Sequence, residues 1–311
     1  MNGRTFDAPD KMRASFGIRR TSKRKMLDPH LVAELRPALH RYCARMTGSV
    51  IDGEDAVQQA LENAVEAYDR QPPLDNPKGW LFRIAHNAAL DLLRRRARER
   101  AALSDEELST MTDPVSPIDE RLAAATALHA FMRLPASQRS SVILMDVLGY
   151  SLGEIADIVE SSVSAVKASL HRGRVRLREL AEEPEDTAVP ALAPAERELL
   201  LAYIDRFNAR DFDAIRAMLA EEVRLDLVAR TTMKGKREVQ TYFHNYSGKS
   251  DWLLVPGFVE GRPAVLVCDP GQPSAAPLYF VLLGWKAGAL AYVRDFRYAR
   301  YAIEAAEMQR L

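Results

Sequence analysis

The spacing of apolar residues changes in the last third of this chain, where one helical stretch, "GKREVQTYFHNY", interrupts strand patterns, and that change limits what it can fold into. Through the first two thirds, apolar side chains recur every three or four positions, the period of a helix with one buried face. Beyond about residue 220 they alternate in "EVRLDLVA", "WLLVPGFVEG", "PAVLVCD", "PLYFVLLGW" and "LAYVRDFRYARY", the period of half-buried strands. Helices first and an antiparallel sheet afterwards give a multidomain chain, two all-α units followed by an α+β unit. Acidic, proline-bearing stretches mark the joints: one spans 101–117 with Pro114 and Pro117, the other 182–195 with Pro184, Pro190 and Pro194. The expected units are a basic tail at 1–26 with no apolar period, helices at 27–100 and 118–181, and the α+β unit at 196–311. A chain of 311 residues that is 47% apolar has enough material for several separate cores.

Charge is balanced, with 43 basic and 43 acidic residues, which argues against indiscriminate coating of nucleic acid. It leaves room for local basic surfaces, because a charge acts over only about 10 Å at moderate salt. "RRTSKRK" (Arg19 to Lys25) and "RRRARER" (Arg94 to Arg100) are two such blocks, balanced by acidic "SDEEL" and "EEPED". Cys43 and Cys268 stand far apart and the six histidines form no ligand-spaced cluster, so no disulfide, metal or cofactor is expected. The N-terminus has no signal-peptide core, and no apolar run reaches the ~20 residues of a membrane span, so a cytoplasmic location is expected. Met26 precedes the first helical pattern, which leaves open whether residues 1–26 are translated.

A third basic block, "SVSAVKASLHRGRVRLREL", follows "SLGEIADIVE". Leu152, Ile155, Ala156 and Val159 make the inner face of a first helix, and Glu160-Ser161-Ser162 makes a turn. Ser162 then caps a second helix whose stripe is Val163, Val166, Leu170, Gly173 and Leu177. Lys167, His171, Arg172, Arg174 and Arg176 lie mostly off that stripe. Two short helices, a tight turn and an exposed basic second helix are the parts of a helix-turn-helix. The first turn, Ser162, Val163 and Ser164, would face base edges, while the basic residues neutralise phosphates. A solvated basic helix in a bundle is the plainer account of the same stretch.

These residues resemble a known family. "LPASQRSSVIL" with "GYSLGEIADIVESSVSAVKASLHRGRVRL" is similar to domain 4 of extracytoplasmic-function sigma factors, and "DGEDAVQQALENAVEAYDR" with "NPKGWLFRIAHNAALDLLRRR" to their domain 2. The two occur in the family's order and together cover about half of the chain. The resemblance implies an alternative sigma factor, a promoter-specificity subunit of bacterial RNA polymerase. It implies core-polymerase contacts at Asp55, Gln58 and Leu61, on a helix that docks on the clamp coiled coil of the largest subunit. It implies −10 DNA contacts at Arg83, Asn87, Asp91, Arg94 and Arg95, with −35 contacts at Ser162, Val163, Ser164, Lys167, His171, Arg172 and Arg174. Domain 4 would also meet the flap of the second-largest subunit. From spacing alone Asp52 caps the domain 2 helix, Asp55 complements its dipole, Gln58 is plainly exposed, and Trp80 joins the apolar core.

The last unit, opening with "ERELLLAYIDRFNARDFDAIRAMLAEEVRLDL", resembles the SnoaL-like, nuclear-transport-factor-like cone. In sigma factors that carry one, the resemblance implies regulation from within the chain, through contacts with domains 2 and 4. Cone folds also host enzymes, and the candidate pocket residues are Asp226, His244, Tyr246, Asp295 and Arg297. No carboxylate–His spacing singles out a catalytic site, so no enzymatic activity is expected, and Asp295 could simply pair with Arg294 or Arg297. Trp252, Phe258, Tyr279, Phe280 and Trp285 are expected in the cone core. A helix-turn-helix regulator with a small-molecule-sensing C-terminal domain is the alternative function, and an enzyme with a DNA-targeting arm a weaker third.

Overall fold

The computed structural model describes residues 27–68, 70, 74–101, 128–181, 192–247 and 251–311. The expected basic tail lies outside them, as do both linkers apart from their end residues.

Three helices build the first unit: α1 (Pro29–Thr47), α2 (Val50–Tyr68) and α3 (Pro77–Ala101). Asp28 caps α1 by accepting from the His30 amide at 2.9 Å, with Pro29 at the first helical position. Gly48, at φ 75°, ends it and lets α2 fold back at once. The two helices touch at Gly53, where a Cβ would stand 2.6 Å from the Ala44 backbone. The start of α2 differs from expectation: the helix begins two residues before Asp52, because Ser49 is its cap and its hydroxyl accepts from the Asp52 amide at 3.2 Å. Trp80 is buried against Tyr68, as the spacing indicated.

The second helical unit comprises α4 (Leu128–Phe131), α5 (Ala136–Val142) running into a π-helical turn (Ile143–Val147), α6 (Leu152–Ile158) and α7 (Val163–Ala181). Its core is continuous with that of the first. Leu39, Tyr42 and Phe82 share one apolar cluster with Phe131, Ile143, Tyr150 and Leu170. The Phe82 and Tyr150 rings meet edge to face, with centroids 5.1 Å apart. The two helical units are therefore packed together.

The C-terminal unit opens with α8 (Pro194–Asn208) and α9 (Phe212–Met218), followed by β1 (Leu219–Leu227) and β2 (Thr231–Lys234). Next come α10 (Lys236–Ser247), β3 (Leu253–Val259), β4 (Arg262–Cys268), β5 (Tyr279–Lys286) and β6 (Ala289–Asp295), then α11 (Arg300–Ile303) and β7 (Met308–Arg310). One seven-stranded sheet runs β2-β1-β6-β5-β4-β3-β7. It is mixed rather than antiparallel, because β1 pairs with β6 in parallel. Alternation has the same period in either pairing, so the sequence carried no sign of strand direction.

Both faces of this sheet are buried. Leu225, Val265, Val267, Val281 and Val293 pack inward on Tyr203, Phe207, Phe243 and Trp252. On the other face Val228, Val259, Ala264, Leu266, Phe280 and Phe296 form a second cluster, which includes Ala44, Val50 and Ile51 of the first helical unit. Phe280, expected in the cone interior, belongs to this outer cluster, and Trp285 is only partly buried against the inner one. Among the described residues no helix is long and apolar enough to cross a membrane, and both cysteines are buried free thiols.

Candidate functional site

The helix-turn-helix is formed by α6 and α7. Ser151 and Glu154 make a reciprocal capping box at the start of α6. The turn passes through Glu160 at φ 52°. Ser162 caps α7, its hydroxyl accepting from the Ala165 amide at 3.2 Å. Val166, Leu170, Gly173 and Leu177 face inward. At Gly173 a Cβ would lie 2.8 Å from a Val142 methyl, so α7 approaches α5 closely there. Ser162, Val163, Ser164, Lys167, His171 and Arg172 are all exposed on one continuous surface. Arg174 is different: its guanidinium clasps the buried carboxylate of Asp146 in the π-helical turn, with Nε donating at 2.9 Å. It ties α7 to its own domain.

On α3, Asn87, Asp91, Arg94 and Arg95 are exposed, and Asp91 pairs with Arg94 at 2.9 Å. Arg83 lies 3.5 Å from Glu160 of the helix-turn-helix turn. The inward residue His86 meets the Tyr42 hydroxyl at 2.6 Å, and burial lowers its pKa to about 4.

The acidic start of α2 is enclosed by the C-terminal unit. Asp52 is paired with Arg96 of α3 and accepts from Arg262 of β4 at 2.9 Å. Glu54 is buried, paired with Arg36 and receiving the Tyr301 hydroxyl at 3.0 Å. Burial raises the Glu54 pKa while Arg36 opposes the rise. Asp55 pairs with Arg294 of β6 at 2.8 Å, and the buried guanidinium also lies 3.3 Å from Asp226 of β1. Glu260, at the β3–β4 turn, accepts from the Val50 amide at 2.7 Å and the Ser49 hydroxyl at 2.6 Å. Of the three residues expected at a polymerase contact, Asp55 and Gln58 are exposed, but Leu61 is buried in the helical core. A helix has one apolar stripe, and Leu61 continues the one through Val57 and Ala64.

Of the five candidate pocket residues, Tyr246, Asp295 and Arg297 come together, while Asp226 and His244 lie elsewhere. The carboxylate of Asp295 is fully buried and accepts from Tyr242 at 2.7 Å, Tyr246 at 3.3 Å and the Arg297 amide at 2.8 Å. Burial raises its pKa against these donors. The Arg297 guanidinium lies over the Tyr246 and Tyr279 rings. Asp226 belongs to the opposite face of the sheet, because it pairs in register with Arg294 while its neighbour Leu227 pairs with Asp295. His244 is exposed on α10.

Sequence reasoning missed Arg36, Glu260, Arg262 and Tyr301. Glu260-Gly261 stands between two strand patterns, but nothing local marks a target 210 positions away for its carboxylate.

Comparison with known proteins gives two family matches, several relatives and a similar solved structure. Sigma-70 region 2 matches residues 31–99 and Sigma-70 region 4 matches residues 126–177. The ECF RNA polymerase sigma factor SigG of Mycobacterium tuberculosis is 28% identical over 291 residues, covering 84% of this chain and 78% of that protein. An alignment of that extent runs into the C-terminal unit. The ECF RNA polymerase sigma factor SigM of the same species is 33% identical over 142 residues, 46% of this chain and 70% of that protein. The crystal structure of the extracytoplasmic-function sigma factor SigJ of Mycobacterium tuberculosis covers 86% of this chain and 94% of its own, at 20% identity and a TM-score of 0.33.

Proposed function

Because the chain belongs to the ECF RNA polymerase sigma factors, we propose that its C-terminal domain regulates the sigma core in cis by holding it closed. Sigma factors bind RNA polymerase and promoter DNA, and this chain is an alternative sigma factor for transcription initiation. In our reading Asp55 and Gln58 meet the clamp coiled coil of the largest subunit. Domain 4 meets the flap of the second-largest subunit, α3 reads the −10 element and α7 the −35 element, all in the cytoplasm. Arg83, Asn87, Asp91, Arg94 and Arg95 serve the first element. Ser162, Val163, Ser164, Lys167, His171 and Arg172 serve the second, while Arg174 acts by bracing α7.

The ion pair between Asp55 and Arg294 carries the proposal, because it engages a polymerase-contact side chain within the chain itself. The packing of the two DNA-reading units supports it. Elements about 25 bp apart are separated by ~85 Å of duplex at about 3.4 Å per base pair. Two modules joined through Phe82–Tyr150 and Arg83–Glu160 cannot span that distance together, so promoter binding requires them to part. Catalysis is no part of the proposal: the Asp295 carboxylate is occupied by two tyrosines and a backbone amide, and the surrounding rings pack as core.

The test is promoter-dependent transcription with purified core polymerase, comparing the full chain with one ending near Pro190 and with full-length Arg294→Met. Both changes should raise activity. Activity from the intact chain alone would overturn inhibition and make the domain a brace for the competent shape.

A further inference from the structure

Every helix start leaves four amides without an intrahelical acceptor, and each must find a partner when buried. At α2 three of the four can be traced. The Ser49 amide donates to the Ala44 carbonyl at 3.1 Å, and the Asp52 amide to the Ser49 hydroxyl at 3.2 Å. The Val50 amide donates to the Glu260 carboxylate at 2.7 Å, and the same carboxylate accepts from the Ser49 hydroxyl at 2.6 Å. Val50 is fully buried and Ile51 nearly so, beneath the outer face of the sheet. Part of the cap of α2 is therefore supplied by another domain.

The hairpin that carries Glu260 is shaped at a cost. Val259 pairs with Arg262, leaving a two-residue turn in which Glu260 has φ 51° and Gly261 φ 73°. Such a turn favours Asn or Gly at its first position and disfavours Glu. A strained residue whose side chain makes a specific long-range contact is the usual mark of a functional position.

We propose that Glu260 is a cap for α2 supplied across the domain boundary, so that docking of the C-terminal domain and completion of the first turn of α2 are one event. This deepens the regulatory reading above. The first turns of α2 carry Asp52, Glu54 and Asp55, so undocking would loosen the polymerase-facing helix at its start while it frees Asp55. The capping site also accepts carboxylates by its chemistry, since aligned amides and the positive helix end favour an anion.

Amide exchange on the full-length chain tests this without polymerase, so its result is independent of the transcription assay. Glu260→Asn and Glu260→Gly both suit the turn but cannot deliver the same carboxylate. Each should speed exchange at residues 49–54 about tenfold, with strands β3 and β4 of the hairpin protected as before or better. Arg262→Ala, which removes the Asp52 contact and keeps the cap, should leave residues 49–54 within about twofold of wild type. Glu260→Asp keeps the charge one methylene short and should behave like Asn. Unchanged protection in the Asn and Gly variants would overturn the proposal. So would equal loss in Arg262→Ala, or full retention in Glu260→Asp.

Discussion

Replacing Arg294 with Met should weaken docking of the C-terminal domain, and the structure sets the size of the effect. The Arg294 side chain is 7% exposed, while Asp226 is 24% and Asp55 45% exposed. The pair with Asp55 is largely in water and is worth about 0.5 kcal/mol. The pair with Asp226 counts for more, because its removal strands a mostly buried carboxylate. Breaking a buried pair costs about 3–5 kcal/mol, and the residual exposure of Asp226 brings this to about 2–3 kcal/mol. Methionine keeps an apolar stem of similar length, while the contact of the guanidinium with the Phe296 ring is lost along with the ion pairs. The sum, about 3 kcal/mol, is roughly a hundredfold in the docking equilibrium. Amide exchange of residues 44–56 and 259–268 in the full-length chain reads it directly. Adding Asp226→Asn should recover about 2 kcal/mol, because a neutral amide needs no counter-ion, whereas Asp226→Asn alone leaves the Asp55 pair and should cost under about 1 kcal/mol. Unchanged docking in Arg294→Met, or no rescue in the double variant, would refute the reasoning.

Arg172→Ala should weaken different promoters alike and shallow the salt dependence by about one counterion, whereas Arg174→Ala should lower the melting temperature of domain 4 by stranding Asp146; binding titrations at several salt concentrations and thermal melts separate them. His40, buried and bonded through Nε2 to the Val50 carbonyl at 2.9 Å, has its pKa lowered by burial to about 4. The unfolded chain therefore takes up this proton first, and stability falls between about pH 6.5 and 4 by up to ~3 kcal/mol; urea midpoints of His40→Gln should show a correspondingly flatter acid limb. Gly53→Ala should destabilise the α1–α2 contact by about 1–3 kcal/mol, since the added methyl meets Ala44 backbone that cannot yield; a denaturant melt checks it.

The features that were legible in the sequence are those written in local spacing. Four of the five stripe residues, Val166, Leu170, Gly173 and Leu177, do face inward on α7 and Ser162 does cap it, whereas Val163, the fifth, is exposed in the first turn. Alternation located five of the seven strands. The short edge strands β2 and β7 escaped because a four-residue and a three-residue run carry too little periodicity. The burial of Leu61 and the Arg174–Asp146 pair were hidden for a different reason. Their motifs are shared with residues that face outward, and one turn of a helix decides between surface and core. The interdomain contacts were invisible, because Arg294 and Asp295 are adjacent in sequence yet serve opposite faces of the sheet. Alternation shows that they diverge, but not that another domain waits on one side.

The doubly buried sheet explains why release of α2 would come in stages. Full undocking exposes Val228, Val259, Ala264, Leu266, Phe280 and Phe296 together with Val50 and Ile51, and apolar surface costs about 25 cal/mol per Å² when returned to water. No single charge pair outweighs a surface of that kind. Asp55 and Gln58, however, lie at the rim of the contact, beside a cleft of about 300 Å³ bounded by Arg224, Tyr292 and Arg294. A partner approaching along α2 meets the half-exposed Asp55 before it meets the apolar layer, and needs only to outcompete one solvent-screened ion pair to gain a foothold. Once Asp55 is taken, Arg294 retains Asp226 alone, and the remaining hold on α2 is the apolar layer with the contacts of Glu260, Arg262 and Tyr301. Polymerase engagement would then work against that hold from its edge, with the strained Glu260 turn favouring relaxation as soon as its carboxylate leaves the helix end.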